Sequence, residues 1–193
     1  RLIVGSNRND ILARFLASND MSMMPVEPSL SPSMDIQISS NFERLLFELL
    51  DRDPDAARAT MLDFRQTGRM TVPDAIWHRA RGLFHGFRLD DPGTEAEIRR
   101  LHASTGYLAD PHTAIGIAAA RALPCAGGVP VVAMATAHPA KFPDAMERAT
   151  GHRPMLPPRM ADLFEREERF TVLPNDLATV QAAVRALVGR NTG

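Results

Sequence analysis

Three polar side chains on one short segment are the first candidates for chemistry in this sequence. Thr136, His138 and Lys141 fall within six residues, directly after the apolar run Val129–Ala135. A hydroxyl, an imidazole and an ammonium group on one loop can together hold an anionic or heterocyclic ligand. Ligands in α/β proteins bind at the carboxyl ends of strands. The pattern therefore favours a binding loop, without identifying its ligand.

A second polar segment, Ser31–Arg44, lies just before an amphipathic helix pattern. Ser40 and Glu43 have the spacing of a capping box, which predicts a helix start here. The free N–H groups of a helix start, beside several hydroxyls, can seat an anion such as phosphate. A well-capped core helix after a serine-rich loop is the commoner alternative. The short polar side chains of this segment belong to Ser31, Ser33, Asp35, Ser39, Ser40 and Asn41.

Two further polar clusters precede predicted helices. The first follows a short β-rich run and resembles the strand-to-helix turns that carry ligands in α/β proteins. The second begins with an aspartate before a proline, which is typical of an N-cap. The alternative for the first cluster is an ordinary polar loop. The alternative for the second is a capped helix with a surface histidine. The residues are Asn7, Asn9 and Asp10 in the first cluster and Asp110, His112 and Thr113 in the second.

The composition excludes several classes of function. A net charge of −1 over 193 residues predicts no broad basic surface and hence no nucleic-acid partner. No apolar run approaches the roughly 18–20 residues of a membrane span, so we expect no membrane association. The single cysteine, Cys125, permits no intramolecular disulfide and fits the cytoplasm. The six histidines form no HxxxH pair, so we expect no metal site.

The periodicities predict an α/β fold, rich in helix and with few strands. The longest apolar run, Val129–Ala135, has the composition of a strand that is covered on both faces. Short capped helices are expected from about 41 to 123, with capping boxes at Ser40–Glu43 and Thr94–Glu97. The predicted strands are Leu2–Val4, Val129–Ala135 and Phe170–Leu173.

A terminal helix is predicted near the end of the chain. Asn175 or Asp176 is its expected cap. Its apolar residues repeat at helical spacing, so we expect them to face inward. They are Val180, Val184, Leu187 and Val188.

Four segments together resemble the threonine synthase family. They occur in that family's order, and as a set they are specific, although each alone is weak. The chain looks like the C-terminal part of such an enzyme. The segments are SNRNDIL (Ser6–Leu12), SPSMDIQISSNFERLLFEL (Ser31–Leu49), DPHTAIG (Asp110–Gly116) and TAHPAKF (Thr136–Phe142).

The resemblance implies a pyridoxal 5′-phosphate (PLP) enzyme of fold type II, the tryptophan-synthase-β type. The family converts O-phospho-L-homoserine and water to L-threonine and phosphate. The first threonine of TAHPAKF corresponds to the hydroxyl that meets the pyridine nitrogen of PLP, so Thr136 is the expected cofactor contact. The resemblance also supplies candidates for the substrate side, without individual roles. They are Asn7, Asn9, Asp10, Ser31, Ser33, Asp35, Asn41, Asp110, His112, Thr113, His138 and Lys141.

The resemblance also marks what the sequence lacks. The family's Schiff-base lysine and glycine-rich phosphate loop belong upstream of Arg1, and Lys141, the only lysine, corresponds to a different one. We therefore expect a fragment that is inactive alone and whose N-terminal part is its missing partner. The alternatives are a dehydratase or cysteine-synthase relative, and a non-catalytic interaction module with the same fold.

Overall fold

The structure, a computed structural model, describes residues 1–123 and 127–190. Cys125, and the residues after 190, lie outside the described part. The chain divides into two compact units, Arg1–Met155 and Leu156–Gly193.

The first unit contains two strands and seven α-helices within its described residues. Short 3₁₀ turns lie at Pro32–Met34 and Pro139–Lys141. The strands are β1 (Leu2–Ser6) and β2 (Phe84–Arg88). The helices are α1 (Ile11–Ser18), α2 (Phe42–Leu49), α3 (Pro54–Thr67), α4 (Asp74–Leu83), α5 (Asp91–Thr105), α6 (Pro111–Ala122) and α7 (Pro143–Thr150).

In its described part, 156–190, the second unit contains one α-helix, α8 (Leu177–Arg190), and two 3₁₀ turns at Pro158–Met160 and Leu163–Glu165. The cap of α8 is Asp176, whose carboxylate accepts from the N–H and the hydroxyl of Thr179 at 2.8 and 2.6 Å. The predicted cap is confirmed at this residue.

The two strands form a parallel pair whose two faces are covered by different helices. Their register pairs Val4 with Gly86 and Gly5 with Phe87. Because successive residues of a strand point to opposite faces, Gly5 and Gly86 lie on opposite sides of the pair. A Cβ atom on Gly86 would lie 2.8 Å from the Cα of Ala13 in α1, and one on Gly5 would lie 2.9 Å from Cγ2 of Ile115 in α6. Helices α1 and α6 therefore cover the two faces.

Two apolar clusters hold the first unit together. The larger joins α1 to the helices α2, α3 and α4, and at its centre the rings of Phe15 and Phe42 meet edge to face with centroids 5.0 Å apart. The smaller joins α5, α6 and α7 through Ile98, Ala114 and Met146, all fully buried. The second cluster fixes α6, which carries several of the predicted site residues.

The fold class is confirmed: the chain is α/β, with much helix and few strands. Helices α2 to α6 occupy the predicted helical block, with β2 among them. The pattern of β2, Phe84–Arg88, contains a glycine and two basic residues, which hid it from the periodicity analysis.

Two predicted strands are wrong within the described residues. Val129–Ala135 forms no strand, and Val132 and Met134 are 78% and 70% exposed. Phe170–Leu173 forms no strand either, and Phe170 is exposed. A strand buried on both faces needs neighbours on both sides, and the described residues supply none to either segment.

The predicted inward face of the terminal helix is also wrong for this chain. Its four valine and leucine residues are all exposed, although they share one side of α8 at helical spacing. Periodicity identifies the helix but does not provide a surface for it to pack on.

Two predicted capping boxes are wrong, although both helices exist. Helix α2 begins at Phe42, its N-cap Asn41 makes no side-chain cap bond, and Ser40 is exposed. Helix α5 begins a turn before its predicted box, and its N-cap Asp90 accepts from the N–H of Gly93 at 3.0 Å. The hydroxyl of Thr94 instead donates to the carbonyl of Asp90.

No helix in the described ranges has the length and apolar character needed to cross a membrane.

Replacing Gly86 with Ala is expected to lower the free energy of unfolding of the chain by roughly 1–3 kcal/mol, because the new methyl group meets the backbone of α1. Gly82→Ala is the matched control, since its Cβ meets nothing within 4 Å at the end of α4. The control should gain roughly 0.5–1 kcal/mol. Urea unfolding measures both variants, and an undiminished stability of Gly86→Ala would contradict the close packing of α1.

Candidate active-site region

The turn after β1 is held by a set of buried and half-buried polar side chains. Several acceptors lie within hydrogen-bond distance of the Asn7 amide nitrogen. They include Oδ1 of Asp35 and Oγ of Ser29, both at 2.7 Å, and Oγ of Ser31 at 3.0 Å. The amide oxygen of Asn7 accepts from the N–H of Asn9 at 2.8 Å. We call Asn7, Asn9, Ser29, Ser31 and Asp35 the asparagine network.

The carboxylate of Asp35 is the centre of the asparagine network. Its Oδ1 also accepts from the amide of Asn9 at 3.0 Å and from the hydroxyl of Ser29 at 2.6 Å, and its Oδ2 accepts from the N–H of Ser29 at 2.9 Å. Asn7 and Ser31 are both 1% exposed. These bonds fasten the serine-rich loop to the carboxyl end of β1.

Three other candidates near this turn lie outside the asparagine network. The carboxylate of Asp10 pairs with Arg14 at 3.0 Å and with Arg88 at 3.2 Å. Ser33 is exposed on a 3₁₀ turn. The side-chain oxygen of Asn41 accepts from the hydroxyl of Ser39.

A second buried set lies at the start of α6, where Asp110 is 1% exposed, His112 7% and Thr113 3%. The Asp110 carboxylate accepts from the backbone N–H of His112 at 2.9 Å and from that of Thr113 at 3.4 Å, which makes it the predicted N-cap. It also contacts Nδ1 of His112 at 2.9 Å and accepts from the Thr113 hydroxyl. We call these three residues the Asp110 cluster.

Burial by itself raises the pKa of Asp110, but the hydrogen bonds from the side chains of His112 and Thr113 outweigh it. The net pKa lies below the ordinary value of a carboxyl group, so Asp110 is ionised at neutral pH. An ionised carboxylate only accepts hydrogen bonds, so Nδ1 of His112 carries the hydrogen that lies between them. The other ring nitrogen, Nε2, is buried and has no partner among the described residues.

The Asp110 cluster contacts the loop that carries the first candidates. The backbone N–H of Thr136 donates to the hydroxyl oxygen of Thr113 at 3.2 Å. The His112 ring packs against Phe142, with centroids 4.8 Å apart. Thr136 itself is exposed, and its hydroxyl has no partner in the part of the chain that the structure describes.

The remaining two candidates of this loop are exposed. Nδ1 of His138 accepts from the N–H of Ala140 at 3.2 Å and so caps the 3₁₀ turn. The ammonium of Lys141 lies 5.8 Å from the centre of the Phe142 ring. Neither side chain joins the Asp110 cluster.

The fold brings the asparagine network and the Asp110 cluster to the same region of the first unit. The close approach of Ile115 to Gly5 places the first turns of α6 beside the last residues of β1. The asparagine network begins directly after that strand. The asparagine network and the first turns of α6 therefore lie around the carboxyl end of β1, where ligands bind in α/β proteins.

Three residues of this region were missed by the sequence analysis. Ser29 joins the asparagine network, and its signal was its place at the start of the serine-rich run. Phe142 packs on His112, but an aromatic residue after a polar loop has no distinctive signal. Arg8 bridges Glu27 and Asp91 at 3.4 and 3.2 Å, and its buried Nε has no partner within the described ranges.

No group of three or more histidine, cysteine, aspartate or glutamate residues that could hold a metal ion occurs within the described residues.

Comparison with known proteins places this chain among enzymes of one kind. The family model described as threonine synthase, C-terminal, matches residues 113–184. The threonine synthase of Pseudomonas aeruginosa is 51% identical over 185 residues, which cover 95% of this chain and 39% of that protein. The chain belongs to the threonine synthase family.

Two solved structures agree with this assignment. The crystal structure of PLP-bound threonine synthase from Brucella melitensis has a TM-score of 0.81 at 47% identity, over 96% of this chain and 40% of that one. The yeast threonine synthase has a TM-score of 0.77 at 28% identity, over 98% of this chain and 42% of that one. This chain thus spans about two fifths of the length of the relatives it matches.

Replacing Asp110 with Asn is expected to lower the free energy of unfolding at pH 7 by about 1–3 kcal/mol, because a neutral amide cannot accept all of the bonds now made by the carboxylate. Since the folded-state pKa of Asp110 is lowered, its stabilising effect is complete above its unfolded-state pKa of about 3.9 and is lost as pH falls through the folded-state value. The difference between the two proteins should therefore shrink below about pH 4.

Asp53→Asn is the matched control for this measurement. Asp53 caps α3 before a proline in the same way, but it is exposed, and in the described part of the chain it accepts only from the backbone N–H groups of Asp55 and Ala56. Asn is an equally good N-cap, so we expect little change. Urea unfolding from pH 3 to pH 8 tests both variants, and a pH-independent effect of Asp110→Asn would contradict the stabilising role of the carboxylate.

Proposed function

We propose that this chain forms one wall of the active site of a PLP-dependent threonine synthase, which converts O-phospho-L-homoserine and water to L-threonine and phosphate. The observation that carries the proposal is the hydrogen bond from the N–H of Thr136 to Thr113, which fixes the backbone of Thr136 while its hydroxyl stays exposed. The family of the chain and the PLP-bound relative support it.

The residues around Thr136 fit the ring of PLP. An exposed hydroxyl on a fixed backbone can donate a hydrogen bond to an unprotonated pyridine nitrogen. When bound, PLP supplies an electron sink that stabilises a carbanion next to it. Thr136 orients the ring and, as a neutral partner, adds no charge at the nitrogen.

The buried His112 is suited to the substrate side. Its Nδ1 is held by Asp110, and its buried Nε2 has no partner among the described residues, so this nitrogen is available to form a hydrogen bond with the substrate or with water. Of the exposed groups on the same loop, Lys141 supplies a positive charge for a departing phosphate. The asparagine network keeps the adjoining turn in place and excludes water from it.

Further parts of the site belong to the protein outside residues 1–193. We propose that the lysine that holds the cofactor and the loop that binds its phosphate lie in an N-terminal part of the same cytoplasmic enzyme. The only lysine of this chain is exposed between two prolines, where nothing desolvates it. A lysine that bonds to the aldehyde needs an unprotonated amine, which burial or a nearby cation would favour.

The first experiment tests the cofactor contact in the full-length protein that contains this chain. Thr136→Ala should change the visible absorbance of bound PLP and lower the rate of phosphate release from O-phospho-L-homoserine by at least roughly tenfold, because the pyridine nitrogen loses its partner. Thr67→Ala, which removes an exposed threonine hydroxyl at the end of α3, is the control. Unchanged absorbance and rate in Thr136→Ala would contradict the assignment.

The second experiment uses residues 1–193 alone. After incubation with PLP and reduction with borohydride, mass spectrometry should find no stoichiometric adduct on Lys141, because its amine is exposed and the loop proposed to bind the cofactor's phosphate lies outside these residues. The phosphate-release assay should find no turnover. A PLP-labelled Lys141 together with phosphate release would show that these residues carry a complete site, and Lys141→Arg would then identify the labelled group.

A further inference from the structure

The loop from Thr136 to Phe142 is fixed at both of its ends by the first turn of α6. At one end, the N–H of Thr136 donates to the hydroxyl of Thr113 at 3.2 Å. At the other, the ring of Phe142 lies against that of His112. Both contacts come from neighbouring residues of one helical turn.

The middle of the loop is held by its own short-range bonds. The N–H of Lys141 donates to the carbonyl of His138 at 3.0 Å, and the N–H of Phe142 donates to the carbonyl of Pro139 at 2.9 Å. Two prolines, Pro139 and Pro143, restrict the backbone further. A loop that is stiff inside can be displaced only as a unit, so the contacts at its ends decide its position.

Asp110 orients both side chains that make these end contacts. One carboxylate oxygen contacts Nδ1 of His112 at 2.9 Å, and the other accepts from the hydroxyl of Thr113. The Thr113 hydroxyl uses its only hydrogen in the bond that it donates to Asp110. Toward the N–H of Thr136 it can therefore present only a lone pair. The carboxylate therefore fixes the direction of the bond that holds Thr136.

Helix capping alone does not account for this arrangement. Asp53 precedes a proline in the same way and caps α3 with two backbone bonds, yet no side chain of the described residues donates to it. Asp110 makes the equivalent backbone bonds and in addition binds two side chains. Both of those side chains contact the loop, and all three residues are buried.

We propose that Asp110 and Thr113 are positioning residues, which place the hydroxyl of Thr136 opposite the pyridine ring by holding its backbone. The inference rests on the proposed function, because it assumes that Thr136 is the cofactor contact. Thr113 has no contact with the ring in this scheme. Its effect passes through the backbone of Thr136.

The test uses the full-length enzyme and the visible absorbance and fluorescence of bound PLP, the dissociation constant for PLP, and kcat and KM measured separately. Thr113→Val keeps the shape of the side chain and removes its hydroxyl. We expect the absorbance to shift toward that of Thr136→Ala and kcat to fall roughly tenfold or more, with a smaller change in KM. Thr113→Ser, which restores the hydroxyl, should recover the native absorbance and kcat.

A double variant tests whether Thr113 acts through Thr136. In Thr113→Val/Thr136→Ala, kcat should be no lower than in Thr136→Ala alone, because the hydroxyl that Thr113 positions is already absent. Additive losses would overturn the positioning role. Thr94→Val is the matched control: its buried hydroxyl donates to the carbonyl of Asp90, the N-cap of α5, and its loss should leave the cofactor spectrum unchanged.

The outcomes separate this inference from the function on which it rests. A changed spectrum in Thr136→Ala with a native spectrum in Thr113→Val overturns the inference and leaves the function standing. A native spectrum in both overturns the two together. If thermal unfolding shows that Thr113→Val does not fold, Thr113→Cys and Thr113→Ser replace it, since they match in size and differ in hydrogen-bond strength. Equal spectra and equal kcat in that pair overturn the inference.

Discussion

The hydrogen bonding of one buried carboxylate, that of Asp110, connects the fold of this chain to its candidate site. An ionised carboxylate removed from water must be fully satisfied by donors, and here they are two backbone N–H groups and two side chains from a single helical turn. The bonds to Asp110 set the rotamers of His112 and Thr113. These two side chains in turn hold the loop Thr136–Phe142, which follows more than twenty residues later in the sequence.

The carboxylate of Asp35 is likewise the centre of a set of hydrogen bonds, in the turn after β1. It gathers two asparagine amides and a serine, so the serine-rich loop is attached to the end of β1 by polar bonds. The scaffold beneath both sets depends on small residues. Gly5 and Gly86 let a helix approach each face of the strand pair, and the close contact with α6 brings the Asp110 cluster to the carboxyl end of β1.

Local signals in the sequence predicted much of this architecture. The Asp-Pro pairs at Asp53 and Asp110 correctly marked helix starts, because the capping bond spans only two or three residues. The Asp110 cluster was predicted as one group of polar residues. The members of the asparagine network were predicted in two separate clusters, and Ser29 was missed, because spacing does not reveal bonds between distant segments. Val129–Ala135 has the composition of a buried strand, and composition cannot supply the neighbouring strands that a sheet requires.

The exposed segment Val129–Ala135 also has a sequence that favours aggregation. No charged residue occurs between Arg121 and Lys141, and the stretch is dominated by alanine and valine. Uncharged, β-prone windows of this kind are the usual nuclei of aggregation, and Pro130 is the one residue within Val129–Ala135 that opposes strand pairing. In a solution of residues 1–193, this exposed segment is therefore a site at which copies of the chain can associate, whatever the stability of the helices around it.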